Sequence, residues 1–275
     1  MSSNTSCKNI LVVSGASSGI GKEILLLLDK LIRAGKEQAD EIWAIARSTD
    51  KLEALAAQVK TPVIPVTLDL SDRGDLLKLK EKLEQEQPRI RVLANCAGFG
   101  YFDHTENIDT DLLLNMVDLN CTSYVAMINY ALPCMPEGSR ILNIASCAGF
   151  QPIPYINCYA ATKAFVLNYT RALNVELKYK NIHCLAVTPF WTRTAFFDRA
   201  INADKKPVVI NYAAMYDAKA VAKKAVKDLY SKKEISCCGF VNNGQRILVR
   251  LLPKKLVMKV WMGQQKLDGT PGIRP

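Results

Sequence analysis

Asn9-Ile10-Leu11-Val12-Val13-Ser14-Gly15-Ala16-Ser17-Ser18-Gly19-Ile20-Gly21 decides the fold of this chain. The apolar run from Ile10 to Val13 reads as a strand, and it gives way at once to small residues and three glycines. Beyond them Gly19–Ala34 reads as a helix with a solid leucine face at Leu25–Leu28. A strand that ends in a glycine-rich turn and opens a helix brings backbone amides and the positive end of a helix dipole to one place. Gly15, Ser17, Ser18, Gly19, Ile20 and Gly21 therefore form a candidate cradle for a pyrophosphate.

Working outward, apolar runs alternate with helical patterns. Strands are expected at Glu41–Ala46, Val63–Leu68, Arg91–Ala94, Arg140–Ala145 and Ile182–Val187, with a weak seventh near Ile235–Cys238. Helices are expected at Thr49–Val59, Ser71–Gln87, Asp109–Ala131, Ile156–Lys178 and Ala218–Ser231. Strands separated by helices imply a parallel sheet covered on both faces, and right-handed crossovers make it doubly wound. The expected architecture is a single α/β domain of Rossmann type, residues 1–240, with a substrate lid at about 190–216. A basic amphipathic extension, 241–275, follows; its helical pattern from Gln245 to Gln265 is interrupted at Pro253.

The 275 residues suffice for one large core, and 49% apolar with 23% charged residues is ordinary for a soluble globular protein. The net charge is +10, but Arg246, Arg250, Lys254, Lys255, Lys259, Lys266 and Arg274 against Asp268 place +6 of it in the last thirty residues. The basicity belongs to the tail and does not mark a nucleic-acid binder. Nine scattered cysteines without a C-x-x-C read as reduced thiols of a cytoplasmic protein, with no metal site. Met1 to Lys8 is polar, so no secretory signal is expected, and no apolar run approaches a membrane span.

The chemistry is carried by Ser146, Tyr159 and Lys163. On a helix over 156–178, Tyr159 and Lys163 stand at i and i+4 and share a face. A phenol alone, with a pKa of about 10, is a poor proton donor at neutral pH. An ammonium beside it favours the phenolate and brings it toward the working range. A serine hydroxyl can hold a substrate carbonyl or hydroxyl against that phenol. The second strand ends Ala46-Arg47-Ser48 without the acid that would bind an adenosine 2′-hydroxyl. Arg47 could instead clamp a 2′-phosphate, which favours NADP(H) over NAD(H). Asp69 is placed to accept from an adenine amine or, like Ser71, to cap the next helix.

Taken together these residues resemble the short-chain dehydrogenase/reductase family over about residues 8–195. The family's Thr-Gly-x-x-x-Gly-x-Gly appears with Ser14 for the threonine, and its Asn-Asn-Ala-Gly appears as Asn95-Cys96-Ala97-Gly98. Asn120 matches the helix asparagine of its Asn-Ser-Tyr-Lys tetrad, and Phe190 replaces the glycine of its Pro-Gly after the sixth strand. The resemblance implies that Tyr159 donates or accepts the proton, that Lys163 lowers its pKa and bonds the nicotinamide ribose, that Ser146 orients the substrate oxygen and that Asn120 positions a water. It implies further cofactor contacts at Leu70, Asn95, Ala97, Gly98, Pro189, Thr192 and Thr194, the last to the carboxamide.

Candidate substrate residues are Phe99, Tyr101, Phe102, Gln151, Ile153, Tyr155, Phe190, Trp191, Phe196 and Phe197. Such a lining suits a large apolar small molecule. The resemblance extends to the subgroup holding hydroxysteroid dehydrogenases and long-chain 3-oxoacyl reductases. The expected activity is ketone–alcohol interconversion on a hydroxysteroid or bile acid; the alternatives are a 3-oxoacyl thioester reductase of fatty acid metabolism and a non-enzymatic cofactor-sensing or interaction protein. A homodimer or homotetramer through helices 109–131 and 156–178 is implied. For 246–262, packing or an oligomer contact is preferred over a membrane surface.

Overall fold

Strand β1 (Asn9–Ser14) divides its side chains between two cores. Ile10 and Val12 pack on one face of the sheet, Leu11 and Val13 on the other. This is the period-two alternation of a strand covered on both sides. The computed structural model describes residues 7–200, 207–212 and 214–267. The parts of the expectations that fall on residues 1–6, on 201–206 and 213 of the lid, and on 268–275 of the extension lie outside the described residues.

From β1 the chain runs through α1 (Gly19–Arg33), β2 (Glu41–Ala46), α2 (Thr49–Ala56), β3 (Val63–Thr67), α3 (Arg73–Glu86), β4 (Arg89–Asn95), α4 (Thr110–Val117) and α5 (Ser123–Ala131). It continues through β5 (Arg140–Ile144), α6 (Asn157–Glu176), β6 (His183–Val187), β7 (Thr192–Arg193), α7 (Phe196–Ala200), β8 (Tyr216–Asp217), α8 (Ala218–Tyr230), β9 (Ile235–Ser236), α9 (Phe240–Leu251) and α10 (Lys254–Gln265). Seven strands pair in parallel in the order β3-β2-β1-β4-β5-β6-β9, and β7 pairs with β8. Residues of α1, α2 and α8 cover one face; residues of α3, α5 and α6 cover the other. This is the doubly wound Rossmann-type sheet that the alternation of strands and helices predicts. Strand order reverses between β1 and β4, so a crevice opens at their carboxyl ends, where ligands bind in such sheets.

Two local features differ from expectation. The helix expected over 109–131 is divided by a π-turn, Asp118–Thr122, which carries Asn120. A π-turn fits an extra residue into the helix and commonly marks a functional position. The cap of α3 is Asp72, which accepts from the Asp75 amide, and not Asp69 or Ser71. As the proline leads one to expect, the tail is two helices, broken at Leu252–Pro253, where proline cannot continue the α9 hydrogen-bond ladder. Both pack on the body of the molecule. Asn242 of α9 donates to the Thr188 carbonyl at 2.6 Å, and the Trp261 indole of α10 donates to Pro154 at 3.1 Å. Among the described residues, no helix is long and apolar enough to cross a membrane.

Candidate active site

The glycine turn sits at the head of the crevice. Gly15 has φ +63° and lies so close to β4 that a Cβ there would stand 2.7 Å from the Ala97 nitrogen. A Cβ on Gly21 would stand 2.3 Å from the Gly15 carbonyl oxygen. Both positions demand glycine on steric grounds. Ser14 ties the turn to the β4 exit by accepting from the Cys96 and Ala97 amides at 3.0 and 3.3 Å. Ser18, the N-cap of α1, makes no side-chain cap bond, and the first turn holds no acid. The first-turn amides of α1 are thus left to an anion, so this loop fits a dinucleotide pyrophosphate.

At the far end of β2, Arg47 lines the cavity with Ser48 and Lys51. The Arg47 side chain is 61% exposed and 3.8 Å from the Asp69 carboxylate, which also accepts from Ser71. Asp69 and Leu70 lie on the same wall. Lys51, one helical turn beyond Arg47, is a second cation at this end that the sequence reading did not single out.

Ser146, Tyr159 and Lys163 come together on the opposite side of the crevice and line the same cavity. Ser146 starts a short helical turn, its hydroxyl accepting from the Ala148 amide at 3.1 Å. Lys163 is 3% exposed; its ammonium donates to the Ile144 carbonyl at 2.9 Å and sits 5.8 Å from the centre of the Tyr159 ring. Burial pushes the ammonium down to about 8. Burial likewise drives the Tyr159 phenol above its ordinary range, and a hydrogen bond with Ser146 opposes that only in part. The net shift is opposite to the one expected from Lys163: one ammonium proton goes to a backbone carbonyl, and the desolvation of the phenolate outweighs the help of the nearby charge. Among the protein groups alone Tyr159 is a neutral phenol at pH 7.

Asn120 is fully buried and does not line the cavity. It accepts from the Phe99 amide at 3.1 Å and donates to Phe99 O at 2.8 Å and Thr162 Oγ1 at 3.0 Å. The π-turn thus clamps the segment leaving β4. Asn95 is also buried, donating to Asn143 at 2.9 Å, and stands behind the wall. Ala97, Gly98, Pro189, Thr192 and Thr194 do line it.

The cavity has a volume of about 820 Å³. Phe99, Gln151, Ile153, Phe190, Trp191, Phe196 and Phe197 contribute to its wall as expected. Gln151 Oε1 is buried there without a hydrogen-bond partner among the described residues. Phe102 stands behind, 6.2 Å from the Tyr159 ring. Tyr101 and Tyr155 are not part of the wall. Tyr155 takes φ +67°, which directs it to a shallow depression with His104, 4.6 Å away ring to ring. What the sequence reading missed is the wall supplied by α9 and α10, including Gln245, Leu248, Val257, Val260, Trp261 and Gln265. Burial pushes the Cys96 and Cys147 thiols of the wall up to about 12, so neither is a nucleophile at neutral pH.

A family model described as short chain dehydrogenase matches residues 9–205. A very-long-chain 3-oxoacyl-CoA reductase of Anas platyrhynchos is 35% identical over 214 residues, 73% of this chain and 65% of that protein. Hydroxysteroid dehydrogenase-like protein 1 of Gallus gallus is 29% identical over 220 residues, 77% of this chain and 64% of the relative. The chain spans less than two thirds of the length of these relatives. Among solved structures, a short-chain dehydrogenase from Sphingobium yanoikuyae in complex with NADPH aligns with a TM-score of 0.71 at 24% identity, over 90% of this chain and 97% of that one. One from Burkholderia phymatum in complex with NAD aligns at 0.72 and 18% identity, over 97% and 98%.

Proposed function

The chain belongs to the short-chain dehydrogenases, and on that footing we propose that it is an NADP(H)-dependent oxidoreductase that interconverts a ketone and a secondary alcohol on a large apolar substrate. The observation that carries this reading is the meeting of Ser146, Tyr159 and Lys163 with the glycine turn on one continuous cavity. The α1 amides would hold the pyrophosphate and Thr194 the carboxamide. Arg47 and Lys51 would pair with a 2′-phosphate, which selects NADP(H) over NAD(H). Bound there, the nicotinamide supplies or accepts the hydride.

The chain's own groups do the proton work. Ser146 fixes the carbonyl oxygen, and the neutral Tyr159 phenol gives it a proton as negative charge develops there. The Lys163 ammonium stabilises the phenolate left behind. Asn120 keeps the β4 exit and α6 in register and so aligns the triad. The reduction direction fits a phenol that burial holds protonated.

For the substrate we favour a lipid. Relatives named as very-long-chain 3-oxoacyl-CoA reductases bring a 3-oxoacyl thioester forward, and the hydroxysteroid dehydrogenase-like relative keeps a steroid or bile acid beside it. The test is oxidation of NADPH, and of NADH in parallel, across 3-oxoacyl thioesters of rising chain length, keto-steroids and keto-bile acids. Turnover that rises with acyl chain length supports the thioester, and turnover confined to steroids replaces it. Tight NADPH binding with no turnover of any ketone would refute the oxidoreductase reading and leave a cofactor sensor.

A further inference from the structure

Helix α9 presents four distinct stripes. Asn242 and Val249 point inward and are buried. Gln245, Leu248 and Leu252 line the cavity. Arg246 and Arg250, at i and i+4, form a basic edge. Phe240, Ile247 and Leu251, at i, i+7 and i+11, form an apolar stripe that is 95%, 57% and 76% exposed. The rim of the cavity continues this stripe, because Val241, Leu248 and Val260 line the cavity and are themselves about half exposed.

The two helices themselves carry charge of one sign. From Ile235 to Leu267 the chain holds Arg246, Arg250, Lys254, Lys255, Lys259 and Lys266 and no acid. We propose that the outer face of α9, with the exposed cations of α10, docks on an anionic lipid bilayer. Apolar side chains that lie in the headgroup region with lysines and arginines beside them match such a surface. A second copy of this chain is a poorer occupant. A two-fold contact would bring the same acid-free basic patch against itself, and like charges at an interface cost affinity. The docked face also carries the cavity rim, so an apolar ligand dissolved in the bilayer would enter without crossing water. That consequence rests on the oxidoreductase reading; the docking itself does not.

The test uses the full chain with vesicles of phosphatidylcholine alone and with about one-third phosphatidylserine, pelleted at low and high salt. Two variants accompany it. Phe240→Ser/Ile247→Ser/Leu251→Ser removes the apolar stripe, and Arg250→Glu/Lys255→Glu/Lys259→Glu reverses the charge. None of these six residues lines the cavity. Lys254 is left alone because it donates to the Val249 carbonyl at the end of α9. The expected result is salt-sensitive pelleting with the anionic vesicles, reduced about tenfold or more in each variant, with NADPH binding unchanged as the check on folding. If a triple variant loses NADPH binding, the single Leu251→Ser takes its place and should bind vesicles measurably less. Wild-type protein that stays in the supernatant, or variants that pellet as the wild type does, would overturn the proposal. So would an oligomer that dissociates in the apolar variant on sedimentation velocity, since the stripe would then belong to a second copy. Vesicle binding that persists while every ketone fails would refute only the oxidoreductase reading.

Discussion

Tyr159 and Lys163 stand four residues apart on α6, and burial acts on them in opposite senses: the phenol keeps its proton, and the ammonium sheds its own more readily. The pH dependence of reduction follows. Tyr159 remains a donor throughout the working range, while Lys163 loses its charge above about 8 and with it the support for the phenolate. The rate of ketone reduction should therefore hold level below about 8 and fall above it, and Lys163→Met should be slow at every pH. A wild-type profile flat to about pH 10, near the unperturbed lysine value, would remove Lys163 from that role. At the other end of the cofactor site, Arg47→Asp should turn the preference from NADPH toward NADH by on the order of a hundredfold in kcat/KM. An unchanged ratio would show that Arg47 serves only its contact with Asp69. The placement of these residues was legible in the sequence because it is local: Tyr-x-x-x-Lys shares one face of any helix, and Arg47 stands where a strand runs out. Tyr155, expected at the substrate pocket, takes a positive φ and lies with His104 in a separate depression, a direction that residue type does not reveal.

Elements were read well where burial on both faces leaves an apolar run, as in β1 and β5, and where a leucine face repeats, as in α1. They were read poorly where the deciding partner is distant in sequence. The π-turn at Asn120 depends on Phe99 and Thr162, and no local pattern announces it. The inward course of α10 depends on Trp261 reaching Pro154, 107 residues away. Gln265 belongs to the same class. Nearly buried, it accepts from the Ile210 and Asn211 amides at 2.9 Å and donates to the Asn211 carbonyl at 3.1 Å, fastening the segment before α8 to α10. Gln265→Ala should raise the KM for the ketone about fivefold to tenfold with kcat changed little, and should lower stability by about 1 kcal/mol, since two partly buried amides lose their acceptor. Steady-state kinetics and urea melts check both; an unchanged KM would place the segment outside substrate binding.

At the scale of the whole molecule, the reversal of strand order between β1 and β4 puts the glycine turn, Ser146 after β5, Tyr159 and Lys163 on α6, and the wall of α9 and α10 around one cavity. The sheet carries the proposed cofactor end. The C-terminal helices wall the proposed substrate end, and they carry the outward apolar and basic face. The central claim is that the Tyr159 hydroxyl moves the proton in this cavity. The most direct measurement is single-turnover NADPH oxidation by wild type and Tyr159→Phe, with the best ketone of the panel and with NADPH affinity measured alongside. The account predicts a rate lower by about a hundredfold to ten-thousandfold in the variant, with NADPH bound as tightly as by the wild type. A variant that reduces the ketone at the wild-type rate would contradict it.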